Sequence, residues 1–210
     1  MIDVHTLIPI LRTYNISEET IQKIVKLKSI KRQKNVYEIE KIILVLKNNG
    51  FDLSIIEQCP SILSFGKAIE IEKIILTIKN KGIDLSIIDQ CPSILSFGKA
   101  IEIEKIISTL KTKDVSLSII EQCPSILAYG KASEIEKIIS TIKTNDIPLS
   151  IIEQCPTILA RGKAIEIEKI ISTIKTKGIS LSIIEQCPTI LVQGKASEIE
   201  KIILTIKNKG

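Results

Sequence analysis

The amino-acid sequence predicts an all-α fold, a right-handed superhelical solenoid of 32-residue two-helix repeats. Three observations carry that expectation. Cysteine recurs at Cys59, Cys91, Cys123, Cys155 and Cys187, always 32 residues apart. Twenty of the 32 positions are identical in all five copies. In the second half of each copy, isoleucines recur at three- and four-residue spacing, the period of a helix with one buried face. A fixed period of this length marks a stacked array, in which each unit buries its apolar face against the next.

Residues 1–18 fall outside the register and read as an N-terminal capping segment. Residues 19–50 are a degenerate, basic copy: Asn35-Val36-Tyr37-Glu38-Ile39-Glu40-Lys41-Ile42 aligns with Lys67-Ala68-Ile69-Glu70-Ile71-Glu72-Lys73-Ile74. Five full repeats follow, at 51–82, 83–114, 115–146, 147–178 and 179–210. In the first, Leu53-Ser54-Ile55-Ile56-Glu57 opens a helix, with Ser54 and Glu57 at capping-box spacing. Pro60 cannot donate the helical hydrogen bond, so this helix is short, kinked, or restarts at the proline. Gly66 then punctuates a turn. The second helix is expected from Lys67 to Lys79, with Ala68, Ile71, Ile74, Ile75 and Ile78 on one stripe. Asn80-Lys81-Gly82 ends it, placing cations and a glycine at its C-terminus. Stacked copies then advance by ~10 Å per repeat.

Composition removes most chemistry. The chain has one His (His5), no Trp and 3% aromatic residues, so general bases and metal ligands are scarce. No nucleophile–base pair is present, and no enzyme, metal or cofactor is expected. The cysteines would lie ~10 Å apart in stacked repeats, beyond disulfide reach. They are expected to be reduced, unligated, small buried residues on the first helix, which suits a reducing compartment. No apolar run reaches the ~18 residues that cross a bilayer. The segment 1–15 lacks the basic and apolar regions of a signal peptide. An intracellular protein of cytoplasm or nucleoid is therefore expected, away from membranes.

Variation between copies points to a site. Just before the turn glycine stand Ser64-Phe65, Ser96-Phe97, Ala128-Tyr129, Ala160-Arg161 and Val192-Gln193. A constant frame carrying one variable residue is what a one-module, one-letter reader requires. Phe65, Phe97, Tyr129, Arg161 and Gln193 are therefore the candidate base-reading residues, in a loop supported by Ser64, Ser96, Ala128, Ala160 and Val192. A freely drifting loop tip is the plain alternative. Lys67, Lys99, Lys131, Lys163 and Lys195 follow the glycine at the start of the second helix. A cation there is mildly unfavourable unless an anion is present, which suggests phosphate contacts rather than solubilising lysines.

Residues 1–50 carry nine basic and five acidic side chains, whereas the five repeats carry 20 and 19. Lys26, Lys28, Lys31, Arg32 and Lys34 fall within nine residues and could hold phosphates without sequence preference, or simply face solvent on a capping repeat.

The segment Ile55-Ile56-Glu57-Gln58-Cys59-Pro60-Ser61-Ile62-Leu63, followed by a helix ending at Lys81-Gly82, resembles the mitochondrial transcription termination factor repeat. That family's Cys-Pro-x-hydrophobic-Leu repeats form solenoids around double-stranded DNA or bind RNA. In organisation the chain is similar to transcription-activator-like effector repeats, with near-identical modules, a variable pair followed by Gly and Lys, and degenerate basic repeats before the array. That likeness implies base reading by Phe65, Phe97, Tyr129, Arg161 and Gln193, phosphate contacts by the lysines, and delivery to a host cell or organelle. One glycine instead of two follows the pair here, and the proline lies in the first helix instead of the second.

The expected function is modular, non-enzymatic binding of double-stranded DNA. A protein-interaction scaffold is the first alternative. A single-stranded RNA binder using Phe65, Phe97 and Tyr129 as stacking platforms is the second. The array reaches Gly210 without a polar capping helix, which implies truncation, or cover of the last apolar face by a partner or by self-association.

Overall fold

The structure, a computed structural model, describes residues 4–27 and 35–207, and every regular element among them is helical. The chain divides into two compact units, residues 1–103 and 104–210. The first holds α1 (Val4–Thr13), α2 (Glu18–Lys26), α3 (Val36–Asn48), α4 (Ser54–Gln58), α5 (Ser61–Phe65), α6 (Ala68–Asn80), α7 (Ser86–Gln90), α8 (Ser93–Phe97) and the start of α9 (Ala100–Thr112). The second continues through α10 (Ser118–Gln122), α11 (Ser125–Tyr129), α12 (Ala132–Thr144), α13 (Ser150–Gln154), α14 (Thr157–Arg161), α15 (Ala164–Thr176), α16 (Ser182–Gln186), α17 (Ile190–Gln193) and α18 (Ala196–Lys207).

Each full repeat thus contains three helical segments where two were expected. The Cys-Pro step is the cause. A residue before proline is pushed out of the α region, and Cys59 sits at φ −138°, ψ 73°. Its N–H still closes α4 on the Ile55 carbonyl, and Pro60 starts α5 at a position that needs no donor. The capping box fails as well. Ser54 is already helical, and its N–H donates to Asp52 Oδ1 at 2.7 Å, an Asx turn one step earlier. Asp84 repeats this on Ser86, whereas Ser116 and Ser180 use their hydroxyls on Ser118 and Ser182.

Within each unit, like packs on like. The long helices α3 and α6 lie against each other in the first unit, and α12, α15 and α18 pack in sequence in the second. The short segments α5 and α8, and α11, α14 and α17, do the same. Ile71, Ile74, Ile75 and Ile78 are fully buried, as are Ile135, Ile138, Ile139 and Ile142, so the predicted stripe is the core. Each such side chain contributes about 1.5–3 kcal/mol of transfer free energy before chain entropy is counted. The long helices end on a left-handed residue, Gly82 at φ +73° but also Asp114 at +60° and Asp146 at +56°. The next N–H then reaches back to close the turn, as from Ile83 to the Ile78 carbonyl at 3.2 Å. At the N-terminus, α1 packs on α2 and α3 through buried Leu7 and Leu11.

Candidate functional site

The variable pair does not lie in a loop. It forms the last two residues of the second short helix, where successive side chains point about 100° apart. The pair therefore splits. Ser64, Ser96, Ala128 and Ala160 are buried and Val192 half-buried, while Phe65, Phe97, Tyr129, Arg161 and Gln193 are exposed. The first members are packing residues, not loop supports. Ser96 Oγ lies 3.0 Å from Ser61 Oγ of the preceding repeat and 3.5 Å from Cys59 Sγ, a polar contact between modules. The second members are exposed at the tips. Phe65 and Phe97 touch, with ring centroids 5.7 Å apart and tilted by 35°.

The glycine after the tip is required by space rather than by torsion. Gly66 has ordinary extended backbone, but a Cβ there would strike the Ile62 carbonyl oxygen and come within 2.8 Å of Ile71 Cδ1. The tip helix thus turns directly onto the start of the long helix.

The lysines occupy the N-cap position of the long helices, one residue earlier than expected, and are exposed. A lysine cannot accept the N–H groups left open at a helix start. In the first unit the missing acceptor comes from the preceding repeat: Ala68 N–H donates to Glu38 Oε1 at 2.8 Å, and Ala100 N–H to Glu70 Oε1 at 2.8 Å. In the second unit Ala164 donates to Glu134 at 2.6 Å and Ala196 to Glu166 at 2.9 Å. The anion that the cap position calls for is thus a neighbouring carboxylate, and that N–H does not need a phosphate. The degenerate repeat has its own acceptor, since Asn35 Oδ1 takes the Tyr37 N–H at 3.0 Å.

This exchange sets the electrostatics of the edge. The glutamates turn inward onto helix starts and the lysines stay outside. Shallow hollows open between neighbouring tips. One in the first unit is lined by Phe65, Lys67, Phe97, Lys99 and Ile101. Two in the second share Arg161 and Lys163; Tyr129 and Lys131 complete one, Gln193 and Lys195 the other. Lys195 also leans 3.6 Å from Glu198. The structure brings the tips and lysines together within each unit. Lys26 is exposed at the end of α2, while Lys28, Lys31, Arg32 and Lys34 lie outside the described residues.

Sequence reasoning missed one lining position. Ile101, Ser133, Ile165 and Ser197 border the same hollows, one step into the long helix. Its signal was present: isoleucine and serine alternate there in an otherwise constant segment.

The cysteines sit at the helix break, not on a helical stripe, and range from buried (Cys123, Cys155) to exposed (Cys187). All five are free thiols, each 3.0–3.3 Å from the hydroxyl two residues on. No cluster of three or more His, Cys, Asp or Glu among the described residues is placed to hold a metal ion. No helix among them is long and apolar enough to cross a membrane. No protein family, curated protein or solved structure matches this chain.

Proposed function

We propose that this chain is a non-enzymatic repeat protein whose tip edge binds single-stranded nucleic acid, bases stacking on the tips and phosphates meeting the lysines. One observation carries this reading. Half-exposed aromatic tips recur at Phe65, Phe97 and Tyr129, each followed two residues on by an outward lysine, with the local carboxylates tied inward. Aromatic platforms beside cations suit splayed bases of any sequence, at about 1–3 kcal/mol per stacked base. Reading a duplex needs donors and acceptors on base edges, which phenylalanine lacks. Arg161 and Gln193 have them, and they favour a second reading, double-stranded DNA with guanine preferred opposite the fourth repeat. The expectation of a right-handed superhelical solenoid belongs to the same proposal, since it would bring all five tips onto one continuous edge.

Fluorescence anisotropy with labelled single strands and duplexes, repeated across salt concentrations, tests this. Single strands should bind more tightly than duplexes, with log affinity falling linearly with log salt. Phe97→Ala should cost about 1–3 kcal/mol, and Lys99→Glu should weaken binding on every sequence and flatten the salt slope. Preference for duplex, with Arg161→Ala relaxing a guanine preference by about 1–3 kcal/mol, replaces the single-strand reading with the second. Absence of salt-sensitive binding overturns both and leaves a protein-interaction scaffold, to which exposed Ile101 and Ile165 would contribute.

A further inference from the structure

The outward faces of α3 and α6 carry a pattern that extends beyond the position lining the tip hollows. Tyr37 and Leu44 on α3 are 57% and 42% exposed, and the matching Ile69 and Leu76 on α6 are 62% and 48% exposed. Between each pair stand a glutamate and a lysine, Glu40-Lys41 and Glu72-Lys73. Residues at i, i+3, i+4 and i+7 share one face of a helix, so each stripe reads apolar, Glu, Lys, apolar. The two helices pack side by side, which doubles the stripe.

We infer that this face is an interface between two copies of the chain. The stripe is its own complement. Rotated about a twofold axis perpendicular to the helix, its apolar ends meet apolar ends, and each Glu meets a Lys. A twofold contact requires this property, because the same patch serves both partners. Unrelated partners place no such demand on the order of charges. On α6, Glu72 and Lys73 are both exposed and carry most of the matching. On α3, Lys41 lies 4.4 Å over the Tyr37 ring and Glu40 accepts from the Tyr14 hydroxyl at 3.4 Å, so both groups already have a partner within the chain.

The second unit keeps the charges, but none of its long helices keeps both apolar ends, and on α18 Ser197 and Leu204 flank Glu200-Lys201. Ser133 and Ser140 flank Glu136-Lys137 on α12, and Ile165 and Ser172 flank Glu168-Lys169 on α15. The serines show that the repeat frame does not need leucine there, so the leucines of α3 and α6 serve something outside the fold. Exposed apolar side chains that the repeat frame does not require suit an association surface.

Sedimentation velocity of the full chain over a concentration series tests the inference. A reversible dimer is expected. Leu44→Ser with Leu76→Ser, which copies residues the repeats already use, should weaken it at least tenfold while the helical circular dichroism and melting are retained. Glu72→Lys should also weaken the dimer, as should Lys73→Glu, and mixing these two variants should restore association as a heterodimer. A chain that stays monomeric throughout the series overturns the inference. So does a dimer indifferent to the serine substitutions, which would place the contact elsewhere, including on the last repeat.

Discussion

The two units share a frame and differ on their surfaces. Ile74 of the first and Ile170 of the second are both fully buried at the same module position, and both lie in long helices capped from the neighbouring repeat. Outside that frame they diverge. The first unit shows Phe65 and Phe97 at its tips and Tyr37, Leu44, Ile69 and Leu76 along its helices, whereas the second shows Tyr129, Arg161 and Gln193 with Ser133, Ser140 and Ser172. Stacking fixes the residues that touch a neighbour. What faces water has been free to change: the tips pass from phenylalanine to arginine and glutamine, while Ile165 and Leu204 remain exposed and apolar.

The comparison is sharpest in the core, where the expected effect is largest. Ile74→Ala and Ile170→Ala should each cost about 2–5 kcal/mol, because each opens a cavity against a well-packed neighbour. Ile202 occupies the same module position in the last repeat but is 58% exposed, so Ile202→Ala should change stability by no more than about 0.5 kcal/mol. Urea unfolding of the three variants measures this. Unequal losses at Ile74 and Ile170 would break the claim of a common frame.

The turn glycine comes next. Gly66→Ala and Gly162→Ala each drive a Cβ into a backbone carbonyl, of Ile62 and of Ile158. Overpacking of this kind costs about 1–3 kcal/mol, and the same unfolding series should rank both variants below the core substitutions. The capping glutamates should follow. Glu38→Ala and Glu134→Ala each strip the acceptor from a buried alanine N–H, and loss of a cap costs about 0.5–2 kcal/mol. A glutamine at either position should recover part of that loss by keeping an acceptor oxygen. Full stability of the alanine variants would mean that water caps these helices instead.

The repeat, the helical class and the buried isoleucine stripe were legible in the sequence because they depend on periodicity, and a period of 3.6 residues is visible in Ile71, Ile74, Ile75 and Ile78 without coordinates. The exposure of Phe65 and its equivalents was legible too, from their variation. What could not be read depends on contacts between repeats. Whether Ser64 and Phe65 point the same way turns on where the helix ends, and the sequence placed both in a loop. The lysine before Ala68 looked like a vacancy for phosphate because the acceptor, Glu38, lies 30 residues away. Pro60 alone leaves a short, a kinked and a restarted helix open, and the torsion of Cys59 decides among them.

The smallest expected effect concerns the turn before the first short helix, where the frames themselves differ. In the first unit Asp52 accepts the Ser54 N–H and hydroxyl, and Asp84 accepts the Ser86 hydroxyl and N–H; these hydrogen bonds favour the carboxylate and hold both groups below the usual aspartate range. In the second unit Ser116 and Ser180 make the same turn with a hydroxyl, which does not titrate in acid, and Pro148 replaces the side chain altogether. A carboxylate with a depressed folded pKa adds stability that is fully present above its unfolded value, about 3.9 for Asp, and is lost as pH falls through the folded value. Acid should therefore loosen these turns in the first unit and leave those of the second unchanged. Amide chemical shifts of Ser54 and Ser86 should titrate with midpoints below the ordinary aspartate range, while those of Ser118 and Ser182 stay flat. Replacing Asp52 by Ser, the residue the third and fifth repeats already use, should remove the titration at Ser54 and keep the turn. If the Ser54 shift still moves with pH in that variant, the acid sensitivity arises elsewhere in the unit and the caps of the two units are equivalent after all.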